Sequence, residues 1–330
     1  MKNPPIPQLT GIRFFLSLWV ILYHLTVPNP LVVEIPGTIN SFVYHGVRTA
    51  YSAVSLFFMI SGFSLAYNYE LDRPWSRSAL KKYALTRFTR IYPIFLLGLA
   101  FMLPVEIHQV CFAGLSLARE AGSGLLNLGM VQSWLPQTAL SWNPPGWSLS
   151  DEVFFYACFP FLGVLLRRAP GPGRRLELGL GLWMLAMVAP LAAVALPAHG
   201  FGDVPATSFL YEANPVVTGF VKFNPVLRLP DFCIGVLLGR QFAALRQSGH
   251  PLLGRGPWFY LPGLAALAAA LAFAHRVPYP LFHNVLTVPF CALVWLSFYV
   301  LMVIGLSCLT YKWIESPLNR FFRGKRSGSP

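Results

Sequence analysis

Charge is scarce in this chain: 11% of its 330 residues are Asp, Glu, Lys or Arg, and 55% are hydrophobic, where a soluble domain carries roughly 25% charge. That shortage excludes a water-soluble globular fold, and the lack of low-hydrophobicity stretches excludes intrinsic disorder. Paired cysteines are also missing. Cys111, Cys158, Cys233, Cys291 and Cys308 stand singly, with no Cys-x-x-Cys pair and no histidine at ligand spacing, so no metal site is expected and they read as small buried hydrophobes. There is no Gly-rich phosphate loop, no His-Glu-x-x-His and no Gly-x-Ser-x-Gly elbow, which removes soluble-type zinc and serine hydrolysis. Acids are few, 12 against 25 Lys and Arg, for a net charge of +13. These basic residues flank apolar runs and form no stripe interleaved with exposed aromatics, so nucleic acid is not the expected partner.

What the chain has in abundance is apolar length. Stretches free of Asp, Glu, Lys and Arg cover 14–33, 49–69, 91–105, 121–150, 153–166, 178–202, 256–275 and 277–311, and a membrane-spanning helix needs about 20 apolar residues. The first run carries Arg13 and lacks a small-residue cleavage pattern, so it is expected to stay as a helix rather than leave as a signal peptide. Basic clusters lie at Arg77 to Arg90, Arg167 to Arg175, Arg240 to Arg255 and Lys312 to Arg326. The positive-inside rule makes all of them cytoplasmic. Reconciling these positions gives an all-α polytopic transmembrane bundle of about eight spans with both termini cytoplasmic. Residues 106–120 fall outside, and the Gly-rich segment 122–136 is re-entrant or interfacial. The whole of 1–330 reads as one integral membrane domain, with 322–330 a disordered basic tail.

Against this apolar background the polar residues carry the chemistry. Arg13 and His24 are eleven positions apart on one helix, about 20° apart around its axis and about 16 Å along it. They share a face. Each has a plain structural reading, a snorkelling anchor for Arg13 and a satisfied interfacial histidine for His24, beside a functional one in which the imidazole is a general base for a hydroxyl. Arg87 and Arg90, three apart in Leu85 to Pro93, suit bidentate phosphate contacts or positive-inside flanking. Asn143 to Glu152 reads as a rigid turn, a Ser cap from Ser148 or its neighbour, and two acids in the first turn of a helix. Trp134, Trp142 and Trp147 suit either sugar stacking or an interfacial belt. Arg228 and Asp231, spaced i,i+3 at membrane depth, are placed to pair; His275 and His283 have no evident partner.

The order of these segments resembles the acyltransferase-3 family of bacterial membrane proteins. The resemblance covers most of the chain. It rests on Gly11-Ile12-Arg13 with His24; on Val54 to Phe63, including Ser61-Gly62; on Arg87 to Pro93; on Trp147-Ser148-Leu149-Ser150-Asp151-Glu152 with Phe155, Tyr156 and Pro160; on Arg228 to Phe232 with Gly235 and Gly239; and on Tyr311 to Pro317, including Glu315.

The resemblance implies transfer of an acyl group, commonly acetyl, from a cytoplasmic acetyl-CoA or other acyl-CoA donor to a carbohydrate or glycolipid hydroxyl at the outer leaflet of the inner membrane. It implies no permanently bound cofactor. The expected catalytic set is His24, Arg13 and Glu152, and the expected donor-binding set is Arg87, Arg90 and Tyr92. Gly62, Trp147, Ser148, Ser150, Arg228, Asp231 and Glu315 are the remaining motif positions. His24 is expected to deprotonate the acceptor hydroxyl or to carry the acyl group briefly, with Arg13 orienting the donor or neighbouring polar groups. One departure stands out. The family usually has ten spans, and the run 277–311 is too short for three spans of about 20 residues each. A shortened active variant, one that needs a protein partner, and a degenerate member therefore stay open, as does a sugar transporter or flippase.

Overall fold

The computed structural model describes residue 6 and residues 8–26, 51–69, 75–166, 171–195 and 215–249. Glu315, His275, His283, the apolar runs 256–275 and 277–311 and the tail 322–330 lie outside the described residues. Every regular element among the described residues is helical: α1 (Gln8–Thr26), α2 (Tyr51–Asn68), α3 (Arg77–Phe112), α4 (Leu117–Leu128), α5 (Trp147–Leu166), α6 (Pro172–Ala195), α7 (Pro215–Phe223) and α8 (Pro225–Gln247). Short 3-10 turns at Gln132–Trp134 and Pro144–Gly146 connect α4 to α5. Two compact units result, Met1–Ile60 with Phe242–Pro330, and Ser61–Gln241.

The long helix α3 organises the second unit. Ser76 caps it, its side chain accepting the Ala79 N–H at 3.2 Å, which satisfies one of the donors a helix start leaves over. Pro93 and Pro104 lie inside it, each deleting an intrahelical donor. It ends where Gly114 adopts φ +74° and the Leu115 N–H bonds back to the Gln109 carbonyl at 3.3 Å. At 36 residues it is about 54 Å long. It takes in residues 106–112, which were expected in an outer loop, because that stretch continues without a helix-breaking turn until Gly114. It is the helix, among the described residues, with the length and apolarity to cross a membrane; Leu9–His24 and Ala53–Asn68 are shorter apolar segments.

Helix α5 packs on α3, on α7 and on both 3-10 turns. The reason is an inward face of aromatics: Phe155 and Phe159 are wholly buried, Phe155 stacks on Phe232 of α8 at 5.2 Å, and Phe159 stacks on Tyr83 of α3 at 5.9 Å. The segment expected to be re-entrant is helix α4 followed by a turn. At 12 residues, about 18 Å, α4 is too short to cross a bilayer core of about 30 Å. Its amide donors find partners inside the unit: Asn127 of α4 donates to the Ser123 carbonyl and Ser141 Oγ, and Gln132 of the following turn donates to the Gly146 carbonyl. Helix α7 lies just before α8, separated from it by Asn224 alone.

The start of α5 differs from the expected capping box. The helix begins at Trp147 with no acid in its first turn, and Ser148 Oγ donates back to the Pro145 carbonyl at 3.0 Å. Ser150 is wholly buried and donates to the Met130 carbonyl at 2.7 Å, with Ser133 Oγ also 2.7 Å away. The serines therefore fasten the preceding turn and leave Asp151 and Glu152 free of any capping duty. Of the cysteines, Cys233 is buried as expected, whereas Cys158 is half-buried and Cys111 is exposed near the end of α3.

Candidate active site

Helix α1 is continuous from Gln8 to Thr26, so Arg13 and His24 do share one helix, with Arg13 half-buried and His24 exposed. His24 Nδ1 lies 2.9 Å from the Val20 carbonyl. A carbonyl only accepts, so Nδ1 carries the proton in the neutral ring and Nε2 keeps its lone pair. Tyr23 meets the imidazole edge-on at 5.2 Å and limits its rotation.

The second unit contains a more elaborate constellation on α2, α3 and α5. The Arg87 guanidinium carbon stands 5.8, 5.9 and 5.7 Å from the ring centroids of Tyr69, Tyr83 and Tyr156, distances at which the ring faces attract a cation. One Arg87 amine donates to the Tyr69 hydroxyl at 3.3 Å, and Trp75 stacks on Tyr69 at 5.4 Å. Tyr83 donates to the Tyr156 carbonyl at 3.1 Å, fixing α3 against α5. Inside this box the Arg87 Nε–H is buried and meets no hydrogen-bond acceptor among the described residues. Buried donors are rarely left so.

Beside the box lies Glu152. Its Oε1 accepts from Ser61 Oγ at 2.6 Å and from the Tyr156 hydroxyl at 2.5 Å, and the two hydroxyls are 3.1 Å apart. Tyr156 thus offers its ring to Arg87 and its hydroxyl to Glu152. Ser61 and Tyr156 lie within the family-like segments, and the sequence alone assigned them no role. The signal for Tyr156 was its i,i+4 spacing from Glu152, which puts both on one helical face; for Ser61, on α2, no local signal existed.

The expected donor set is only partly brought together. Arg90 is exposed one turn beyond Arg87 and within electrostatic reach of Tyr156. Tyr92, five positions from Arg87, points about 140° away; its hydroxyl donates to the Leu128 carbonyl at 3.0 Å, binding α3 to α4. Arg228 and Asp231 form the expected ion pair at 3.1 Å, each side chain 2% exposed. Trp147 is buried against Phe223 at 4.9 Å, which removes it as a stacking platform, while Trp142 is half-buried and Trp134 is exposed. Gly62 marks a close helix crossing: a Cβ there would stand 2.2 Å from the Phe232 carbonyl oxygen.

The acyltransferase-3 family, described as an acyltransferase domain, matches residues 6–322. The chain is 30% identical over 295 residues to "Acyltransferase MdmB" of Streptomyces mycarofaciens, covering 88% of this chain and 67% of that one. It is 31% identical over 174 residues to "Protein 2 in picA locus" of Rhizobium radiobacter, covering 48% and 83% respectively. No solved structure matches the chain. The chain belongs to the acyltransferase-3 family and is an acyl-transferring enzyme.

Proposed function

We propose that this enzyme is a polytopic inner-membrane O-acyltransferase of about eight spans, both termini cytoplasmic. It moves an acyl group, commonly acetyl, from cytoplasmic acyl-CoA to a hydroxyl of a surface carbohydrate or glycolipid. Support for the membrane comes from the surface of the helices. On α3, Ile94, Phe101 and Phe112 are 72%, 74% and 79% exposed, and a helix of such length with uncovered apolar side chains is stable when its solvent is lipid. Phe14, Leu18 and Ile21 give α1 the same character.

The observation that carries the donor assignment is the Arg87 box. Three tyrosines hold the guanidinium in place, and its unsatisfied Nε–H fits an anionic oxygen such as a coenzyme A phosphate. Arg90, exposed one turn along, adds a second cation of the same kind. In the reaction His24 Nε2 takes the proton of the acceptor hydroxyl. The hydroxyl oxygen bonds to the thioester carbonyl carbon, the C–S bond breaks, and coenzyme A leaves as the thiol after protonation. Arg13 orients the polar groups along the same helix, and Glu152 is the carboxyl group that accepts from a donor hydrogen of the reacting partners.

Acetyl-labelled coenzyme A supplied to inverted vesicles bearing the enzyme is expected to label a glycan or lipid-linked sugar. His24→Ala, properly inserted, should lower that rate about 10²-fold or more, the usual contribution of a positioned base. Unchanged transfer by His24→Ala would remove the histidine from the mechanism. Vesicles that move a sugar without labelling anything would show a transporter instead.

A further inference from the structure

Glu152 is held from two directions. Ser61 comes from α2 and Tyr156 from the next turn of Glu152's own helix, yet both hydroxyls reach the same oxygen, Oε1. That convergence fixes the rotation of the carboxyl group and leaves Oε2 to a third donor. The Tyr156 ring has a second neighbour, because the Arg87 guanidinium rests over its face at 5.7 Å. Tyr83 restrains the backbone of the same residue through its bond to the Tyr156 carbonyl. A tyrosine used on both its hydroxyl and its face cannot turn without disturbing both partners.

We infer that Ser61 and Tyr156 are positioning residues that aim Glu152, and that Tyr156 does so from the wall of the Arg87 box. The orientation of the carboxyl group is thereby set beside the cation assigned to the acyl-CoA donor; the inference rests on the donor and acid roles given above. The two functions of Tyr156 are chemically separable. Tyr156→Phe deletes the hydroxyl and keeps the ring under Arg87. Tyr156→Leu deletes both.

The test uses the full-length enzyme in lipid nanodiscs, with coenzyme A and acetyl-CoA as the probes. The infrared band of the Glu152 carboxyl group, identified by its loss in Glu152→Gln, is expected to move in Tyr156→Phe and in Ser61→Ala, because each removes one bond to Oε1. Coenzyme A affinity should be unchanged in both and fall severalfold in Tyr156→Leu. Acetyl transfer should drop about tenfold in Tyr156→Phe and Ser61→Ala, with no further drop when either is combined with Glu152→Gln. A Glu152 band unmoved by both single variants overturns the inference, as does a full multiplicative loss in the Glu152→Gln background. Should Tyr156→Phe fail to fold, Ser61→Ala carries the same reading. Wild-type enzyme that transfers nothing from acetyl-CoA would refute the proposed reaction, while the infrared band still decides whether the two hydroxyls aim the acid.

Discussion

Arg228 is buried within electrostatic reach of two carboxyl groups. Asp231 pairs with it at 3.1 Å, and Asp151, wholly buried on α5, lies within electrostatic range of both Arg228 and Asp231. With two acids in electrostatic reach of one guanidinium, the cation is the member least easily removed, since its loss takes away the attraction that both acids feel. Arg228→Met is therefore expected to cost about 3–5 kcal/mol, and Asp231→Asn, which keeps a hydrogen-bonding isostere and leaves Asp151 beside Arg228, about 1–2 kcal/mol. Chemical unfolding of the detergent-solubilised enzyme checks the order; Asp231→Asn as damaging as Arg228→Met would mean that Asp151 plays no part. The Arg228 and Asp231 pair was legible in the sequence because i,i+3 spacing makes neighbours of any two residues on a helix. The contribution of Asp151 was not, because it comes from another helix and looks, in sequence, like a residue of a helix start.

At the scale of the element, the crossing of α2 and α8 explains why two glycines stand in otherwise apolar helices. A Cβ on Gly62 would lie 2.2 Å from the Phe232 carbonyl oxygen, and one on Gly239 would lie 2.5 Å from the Phe63 carbonyl oxygen. The contact is reciprocal, backbone against backbone, as in small-residue helix interfaces of membrane proteins. Alanine is favoured over glycine within a helix by about 0.8–1 kcal/mol, but here that preference meets backbone atoms which cannot rotate away. Gly62→Ala and Gly239→Ala are expected to reduce the yield of folded enzyme severalfold. Gly11→Ala on α1, where nothing among the described residues lies within 4 Å, should be neutral or slightly stabilising. Size-exclusion profiles of the three variants in detergent distinguish them, and a normal profile for both Gly62→Ala and Gly239→Ala would show that the crossing yields. Three of the helices were visible as uncharged runs, α1, α2 and α6 falling close to where those runs predict, whereas α8 is interrupted by Arg228, Asp231 and Arg240 and is no uncharged run. The true length of α3 was hidden, because Glu106 ends an uncharged run without ending a helix. The offset start of α5 was hidden as well, because Ser148 and Ser150 resemble caps until their hydroxyls are seen to bond Pro145 and Met130.

For the whole molecule, the proposed function depends on which side of a membrane each end of α3 faces. Arg87 and Arg90 lie toward one end, among Lys81, Lys82 and Arg77, and the opposite end beyond Glu106 carries no Lys or Arg before Arg119. Lysine and arginine are retained on the cytoplasmic side, so the proposed function expects the Arg87 box to face the compartment that holds acyl-CoA and the far end of α3 to face the acceptor. Ser78 and Cys111 sit near the two ends, both exposed, and their separation of about 50 Å along the helix exceeds the roughly 30 Å hydrocarbon core. In a variant retaining Cys111 as its sole cysteine, a membrane-impermeant maleimide added to spheroplasts is expected to label Cys111 from outside. With Cys111 also replaced, Ser78→Cys should be labelled only after permeabilisation. The reverse pattern would put Arg87 and Arg90 on the acceptor side, where no coenzyme A reaches them. Labelling of both positions before permeabilisation would mean that α3 does not span, and the separation of donor from acceptor would have to be made by another part of the chain.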